Sequence, residues 1–251
     1  MYKAYKFRLY PNCIQKELIN KMFGCTRFVY NYYLEKMKKE GYTYAYDNIN
    51  DYVSNLKYKS AFLQEIDSIV IRKSIFNLDS AYQKMYKEGK GIPVFKSRFG
   101  KNSYNTDAIY NIYKDKQYCN IELDLIKRQV KLPKLKWVKI RGYRNKTKIQ
   151  GKIKSATISR DVNGKYYVSL LYEIPEVEVS SNPKSIVGLD LGVKKLITLS
   201  NGISYDNNKY ILKYEKRIKR KQRELSRKEK NSNNYYKCKR ELASLYTKLK
   251  N

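Results

Sequence analysis

Histidine is absent and acidic residues are scarce: 23 Asp plus Glu stand against 54 Lys plus Arg, so 251 residues carry a formal charge of +31 that hardly changes near neutral pH. A compact chain of that charge repels itself, and a polyanion relieves the repulsion while releasing condensed counterions, which makes affinity steeply salt-dependent. Ribosomal, membrane-surface and nuclease roles all fit that charge. The cysteines, Cys13, Cys25, Cys119 and Cys238, form no CxxC pair. Their spacing gives neither a zinc ribbon nor a disulfide framework, so reduced, packed thiols and no zinc are expected. No apolar run approaches the ~20 residues that cross a bilayer. The N-terminus opens on the strand-like KFRLY rather than on a charged-then-apolar leader. A soluble cytoplasmic or nucleoid-associated protein with no membrane partner is the expectation.

The hydrophobic fraction, 42%, is enough for real cores, and the length allows one large or two small domains. Much of that fraction is tyrosine, 27 residues. A tyrosine can pack its ring in a core or stack on an unpaired base with its hydroxyl still hydrated. Structural tyrosine in an organism poor in G and C is the plain reading, and the excess of lysine over arginine agrees with it.

YKAYKFRLY, residues 2–10, alternates as an edge or barrel strand, and Pro11 closes it. Asn12 with Gln15 predicts a capping box. Ile14, Leu18, Met22, Cys25, Val29 and Tyr32 then step by three and four, one face of a helix or of two short helices meeting near Gly24. Further helices are expected over about residues 47–58 and through Ile71, Ile75, Leu78, Tyr82 and Met85, ending at Gly89 and Gly91. From Pro93 the texture changes to short β-prone stretches near residues 118–123, 129–132, 137–140, 153–159 and 166–172, which suggest a small barrel or sandwich. DVNGK, Asp161 to Lys165, predicts a hairpin turn. Residues 175–184 read as a linker. Residues 209–250 hold 16 Lys or Arg against 4 Glu on a thin apolar seam, a helical hairpin that is either a solvated face or a phosphate-tracking surface. The turn is expected at KNSNN, residues 230–234.

The sharpest chemical candidate is SIVGLDLGVKKLITLSNG, where Asp190 sits in an apolar, buried-looking strand between Gly188 and Gly192. A buried carboxylate needs a cation to meet it, and a divalent metal is the usual one. The two glycines are expected to let a metal and a phosphate backbone approach. Ribonuclease-H-like nucleases use such a first carboxylate for two-metal phosphodiester cleavage. A GxDxG string also occurs in actin-like ATPases, where Thr or Ser normally follows; here Val193, Lys194 and Lys195 follow. A generic strand-end Asp is the third possibility.

Several separated motifs, in order, resemble the TnpB family of transposon-encoded, RNA-guided DNA endonucleases, OrfB-type proteins related to the type V CRISPR effectors. They are AYKFRLYPN with Gln15, FGCTRFVYN, PVFKSR followed by SYNT, SATISRDVNGKYYVSLLYE, VGLDLGVKKLITLSNG, and SRKEKNSNNYYKCKRELASLYTKLKN. The resemblance implies an α+β fold. Strand 1–10 would belong to a small wedge-type β-barrel, a helix-turn-helix lobe over 11–91 would be inserted in it, and the barrel would resume over 92–180. Residues 181–251 would form the first part of a ribonuclease-H-like (RuvC) domain with its basic hairpin. It implies guide RNA and double-stranded DNA as partners, with sequence read mainly by base pairing. Asp190 would be a catalytic residue and Mg²⁺ ligand. Arg27, Tyr30, Lys96, Arg98, Lys101, Lys194, Lys195, Arg220 and Arg227 would be nucleic-acid contacts. A second strand Glu, a late Asp and the family's CxxC pairs are not found after Asp190. The expectation is therefore a truncated form with an incomplete catalytic site, or a nuclease-inactive, repressor-like RNA- or DNA-binding protein.

Overall fold

Period-two burial defines the first strand, β1 (Tyr2–Tyr10): Phe7 and Leu9 are buried, Arg8 between them is half-buried, and Lys6 and Tyr10 on either side are exposed. The computed structural model describes residues 1–41, 49–100, 102–113, 116–142, 149–175, 186–207 and 209–250. Asn12 caps α1 (Cys13–Glu40) through the expected box: its Oδ1 accepts from Gln15 N at 2.8 Å, and Gln15 Oε1 accepts from Asn12 N at 3.1 Å. The free end of Gln15 donates to the carbonyls of Leu135 and Trp137, both at 3.0 Å, tying the helix start to the sheet. α1 runs unbroken through Gly24, so one long helix replaces the alternative of two meeting there. α2 (Ile49–Lys59), a 3-10 turn (Ala61–Leu63) and α3 (Ser68–Glu88) complete the helical layer, with Gly89 in the left-handed conformation ending α3. A buried polar contact joins α1 to α3: Ser74 Oγ donates to Thr26 O at 2.6 Å, while Thr26 Oγ1 donates within α1 to Met22 O at 2.7 Å.

The strands that follow are β2 (Asn102–Asp107), β3 (Tyr110–Tyr113), β4 (Lys116–Cys119), β5 (Glu122–Asp124), β6 (Gln129–Leu132), β7 (Lys136–Arg141), β8 (Lys152–Arg160) and β9 (Tyr166–Glu173). β3 and β4 form a separate hairpin, and the rest join one antiparallel sheet in the order β2, β8, β9, β1, β7, β6, β5. α1 to α3 are thus an insertion between the central strand β1 and the edge strand β2. No ladder joins β2 to β5 among the described residues. The helices cover the sheet face that carries Phe7, Leu9, Tyr104, Ile158 and Val168, with the Phe23 and Tyr104 ring centroids 5.8 Å apart. Asp161 N donates to Lys165 O and Gly164 N to Asp161 O, both at 2.9 Å, closing the expected β8–β9 turn with Gly164 at φ 78°.

Residues 1–175 form one compact unit and 176–251 a second. Of the expected linker, residues 175–184, all but residue 175 lie outside those described. The second unit holds β10 (Leu189–Leu191), β11 (Lys195–Leu199) and β12 (Ser204–Asp206) in one antiparallel sheet, then α4 (Tyr210–Ser226) and α5 (Asn233–Lys250) as an antiparallel hairpin. The turn lies at residues 227–232, where Asn231 takes φ 70°. One expectation fails here. The strand before Gly192 is not buried: Leu189 is 60% and Leu191 70% exposed.

Candidate nucleic-acid interface

The segment after α3 runs along α1 and is pinned by one side chain. Asn31 Oδ1 accepts from the Lys96 backbone N at 2.8 Å, and its Nδ2 donates to the Lys96 carbonyl at 3.0 Å, so an amide grips an amide at two points. The Lys96 ammonium is thereby set over the Tyr30 ring, 3.6 Å from the centroid. Lys96 as a residue keeps solvent contact, yet packing around its ammonium lowers its pKa through desolvation. Two more cations sit on rings nearby: Lys38 Nζ is 4.8 Å from the Phe95 centroid and the Arg98 guanidinium 4.6 Å from that of Phe99. Both rings are exposed at one face, so the strap presents basic and aromatic groups together.

Tyr30 does not present its ring to a ligand. At 6% exposure it lies beneath Lys96 and supports it, and burial pushes its hydroxyl pKa up. Arg27 is half-buried one helical turn before Asn31. Lys101 lies outside the described residues. Asn31, Lys38 and Phe95 escaped the sequence reading, because the Asn31 grip joins positions 65 residues apart and no local pattern signals it.

Asp190 is exposed at the centre of β10, paired with Thr198 on β11. The two glycines beside it differ in role. A Cβ on Gly192 would meet the Lys195 carbonyl at 2.8 Å, so the turn into β11 requires glycine; a Cβ on Gly188 would make ordinary contact with Ser200 at 3.5 Å. Gly188 instead closes a loop, its N donating to Ser200 Oγ and its carbonyl accepting from Ser200 N, both at 2.9 Å. Lys194 is exposed in the turn, and Lys195 Nζ donates to Ser204 Oγ at 2.8 Å. Asp206 pairs with Lys195 across the β11–β12 ladder, two positions along the sheet from the Ser204 that faces Thr198, and so does not stand beside Asp190. Among the described residues no group of three His, Cys, Asp or Glu side chains is placed to hold a metal ion.

In the hairpin two carboxylates converge on one cation. Lys221 on α4 binds Glu224 at 2.8 Å and Glu241 on α5 at 2.6 Å, and these two carboxylates raise its pKa. Ile218, Cys238 and Leu245 bury the thin apolar seam beside it, and Gln222 Nε2 donates to Tyr246 OH at 2.8 Å. Arg220 and Arg227 are exposed. No described helix is long and apolar enough to cross a membrane.

A family model described as a helix-turn-helix domain matches residues 1–43, and a second, described as "Probable transposase", matches residues 169–251. The chain is 32% identical over 256 aligned positions to the Escherichia coli protein named "Putative RNA-guided DNA endonuclease InsQ", covering 99% of this chain and 60% of that protein. It is 28% identical to a Streptomyces pristinaespiralis protein named "Putative RNA-guided DNA endonuclease", covering 98% of this chain and again 60% of the relative. The chain therefore spans about 60% of the length of these curated relatives. A solved CRISPR-Cas12f ternary complex aligns at 15% identity and TM-score 0.40, over 93% of this chain and 56% of that one. With OrfB-type models matching both ends, and relatives aligned over nearly all of its length, the chain belongs to the TnpB (OrfB-type) family of transposon-encoded proteins.

Proposed function

We propose that this chain is the nucleic-acid-gripping part of a transposon-associated, RNA-guided DNA endonuclease, with guide RNA and double-stranded DNA as its partners. One observation carries the reading. Lys96 and Arg98 lie on rings in the strap and Arg220 and Arg227 are exposed on the hairpin, while the hairpin's Glu224 and Glu241 are both committed to the single Lys221. Surfaces left with unneutralised charge bind phosphates and pull down affinity as salt rises. In this reading the seven-stranded sheet is the family's wedge barrel, and β10 to β12 open its ribonuclease-H-like domain.

Asp190 is proposed as the first carboxylate toward a divalent cation such as Mg²⁺. One carboxylate cannot position two cations, and the described residues supply no second or third beside it. The donor set as it stands does not fit the two-metal site, so no cleavage step is derived. The same isolation favours a second reading, an RNA- or DNA-binding protein that occupies its site without cutting.

Fluorescence anisotropy of the full chain with labelled RNA and duplex DNA, titrated with KCl, tests the binding. We expect tight binding at low salt that weakens about linearly on a log–log plot; affinity indifferent to salt would overturn the reading. Asp190→Ala should change affinity less than about twofold. Incubation with Mg²⁺, the co-purified RNA and a matched target separates the two readings, since cutting by this chain excludes the non-cutting one.

A further inference from the structure

The sheet face turned away from the helices is strongly basic, and none of its residues is among the contacts named above. β1 contributes Lys6, Arg8 and Tyr10, β7 contributes Lys139 and Arg141, and β9 contributes Tyr167. Register sets Arg8 directly opposite Arg141 on one side and Tyr167 on the other, with Tyr10 opposite Lys139. Cations and rings interleave. The Arg8 guanidinium lies 5.2 Å from the Tyr10 centroid and 5.4 Å from that of Tyr167; Arg141 is 5.4 Å from Tyr10, and Lys6 Nζ 4.6 Å from Tyr167.

In the free protein this arrangement is unfavourable. Like charges opposite each other on neighbouring strands repel, and among the described residues Lys6, Arg8, Lys139 and Arg141 have no carboxylate partner. The one carboxylate carried by these three strands, Glu173 on β9, is already engaged by Lys154 at 3.3 Å. Arg8 Nε is buried with no hydrogen-bond acceptor, so this side chain is incompletely satisfied in the free protein. A guanidinium lying on a ring keeps its N–H edge free, and that planar fork matches a phosphate.

We infer that this face binds a nucleic-acid backbone, with Arg8 and Arg141 as the phosphate contacts and Tyr10 as the positioning residue that holds both guanidiniums in one clamp. The inference rests on the nucleic-acid reading above and names a surface that reading does not use. The repeating anion of a phosphodiester chain is the ligand that four aligned cations fit; whether RNA or DNA supplies it is read from the relative affinities.

The test is anisotropy of the full chain with labelled RNA and DNA 20-mers across a KCl series. Arg8→Ala with Arg141→Ala should bind at least about tenfold more weakly, and its salt slope should flatten by about 0.7 for each single-strand phosphate lost. Lys59→Ala with Lys127→Ala removes equal charge elsewhere and should change little. Tyr10→Phe should match the parent, whereas Tyr10→Leu, with the same charge, should lose several-fold. Equal behaviour of the arginine and lysine doubles would overturn the inference while leaving nucleic-acid binding intact; a parent chain that binds neither polymer would sink the underlying reading instead. If the arginine double variant does not fold, phenylglyoxal labelling of the parent decides: RNA or DNA should protect Arg8 and Arg141, and absence of protection overturns the inference. Protection by anionic lipid vesicles but by neither nucleic acid would overturn it as well.

Discussion

Single side chains in this protein serve others more than they act alone. Asn31 touches no ring and carries no charge, yet it sets where the Lys96 ammonium sits. Asn31→Ala removes two hydrogen bonds, each worth about 0.5–1.5 kcal/mol, and should lower Tm by a few degrees and weaken RNA binding together, as differential scanning fluorimetry and anisotropy would show. Lys96 gives a sharper test because its folded-state pKa is lowered by burial, below the ordinary value of 10.5. For a base with a depressed pKa the charged form is penalised in the folded state. The penalty is present below the folded pKa and is relieved as pH rises through it, so this group makes stability climb toward alkaline pH. Lys96→Met should therefore not lower Tm at pH 7 while weakening nucleic-acid binding; a fall in Tm would mean that the contact with Tyr30 outweighs desolvation. Lys96 was legible in the sequence as a basic residue in PVFKSR, but its seat on Tyr30 was not, since that depends on a partner far along the chain.

At the level of elements, sequence patterns succeeded where the pattern and the burial had one cause. The Asn12–Gln15 box, α3 ending at Gly89 and the Gly164 turn are local chemistry, and all three stand where expected. β2 gave no signal, because NSYNTD buries only Tyr104 and Thr106 and owes its strand form to full register with β8. β10 misled in the opposite sense: an apolar run reads as buried whether or not a covering layer is present. Gly24 was a doubtful break, yet its Cβ position is open and α1 passes through it. Gly24→Ala should stabilise the chain by about 0.5–1 kcal/mol, raising Tm by a few degrees, because glycine in a helix interior costs that much in backbone entropy. The hairpin has its own pH signature. Glu215 and Glu224 have lowered pKa values from Lys219 and Lys221, so their contribution is present above the ordinary value of 4.5 and is lost as pH falls through the folded values. Hydrogen exchange of the α4 and α5 amides should accelerate as pH falls below the ordinary value of 4.5, in excess of the intrinsic trend; protection unchanged throughout that acid range would show that these pairs contribute nothing.

For the whole molecule, salt acts in opposite directions on stability and on binding. Screening relieves self-repulsion at a charge of +31, so Tm should rise between about 20 and 200 mM NaCl, while affinity for nucleic acid falls over the same range. A Tm that fell with salt would show that local ion pairs dominate. The place of β1 in the sheet also has a consequence in time. Its pairing with β9 joins residues 2–9 to 166–173, and Ile174 N donates to Met1 O at 2.9 Å. At a synthesis rate of roughly 5–20 residues per second, the first strand waits on the order of ten to thirty seconds for that neighbour to emerge. The helices can collapse meanwhile, but the central ladder cannot form. Arg8 meets Arg141 first and Tyr167 last, so the basic face of the sheet is complete only once β9 has emerged, and transcripts met before then encounter a protein that does not yet possess it.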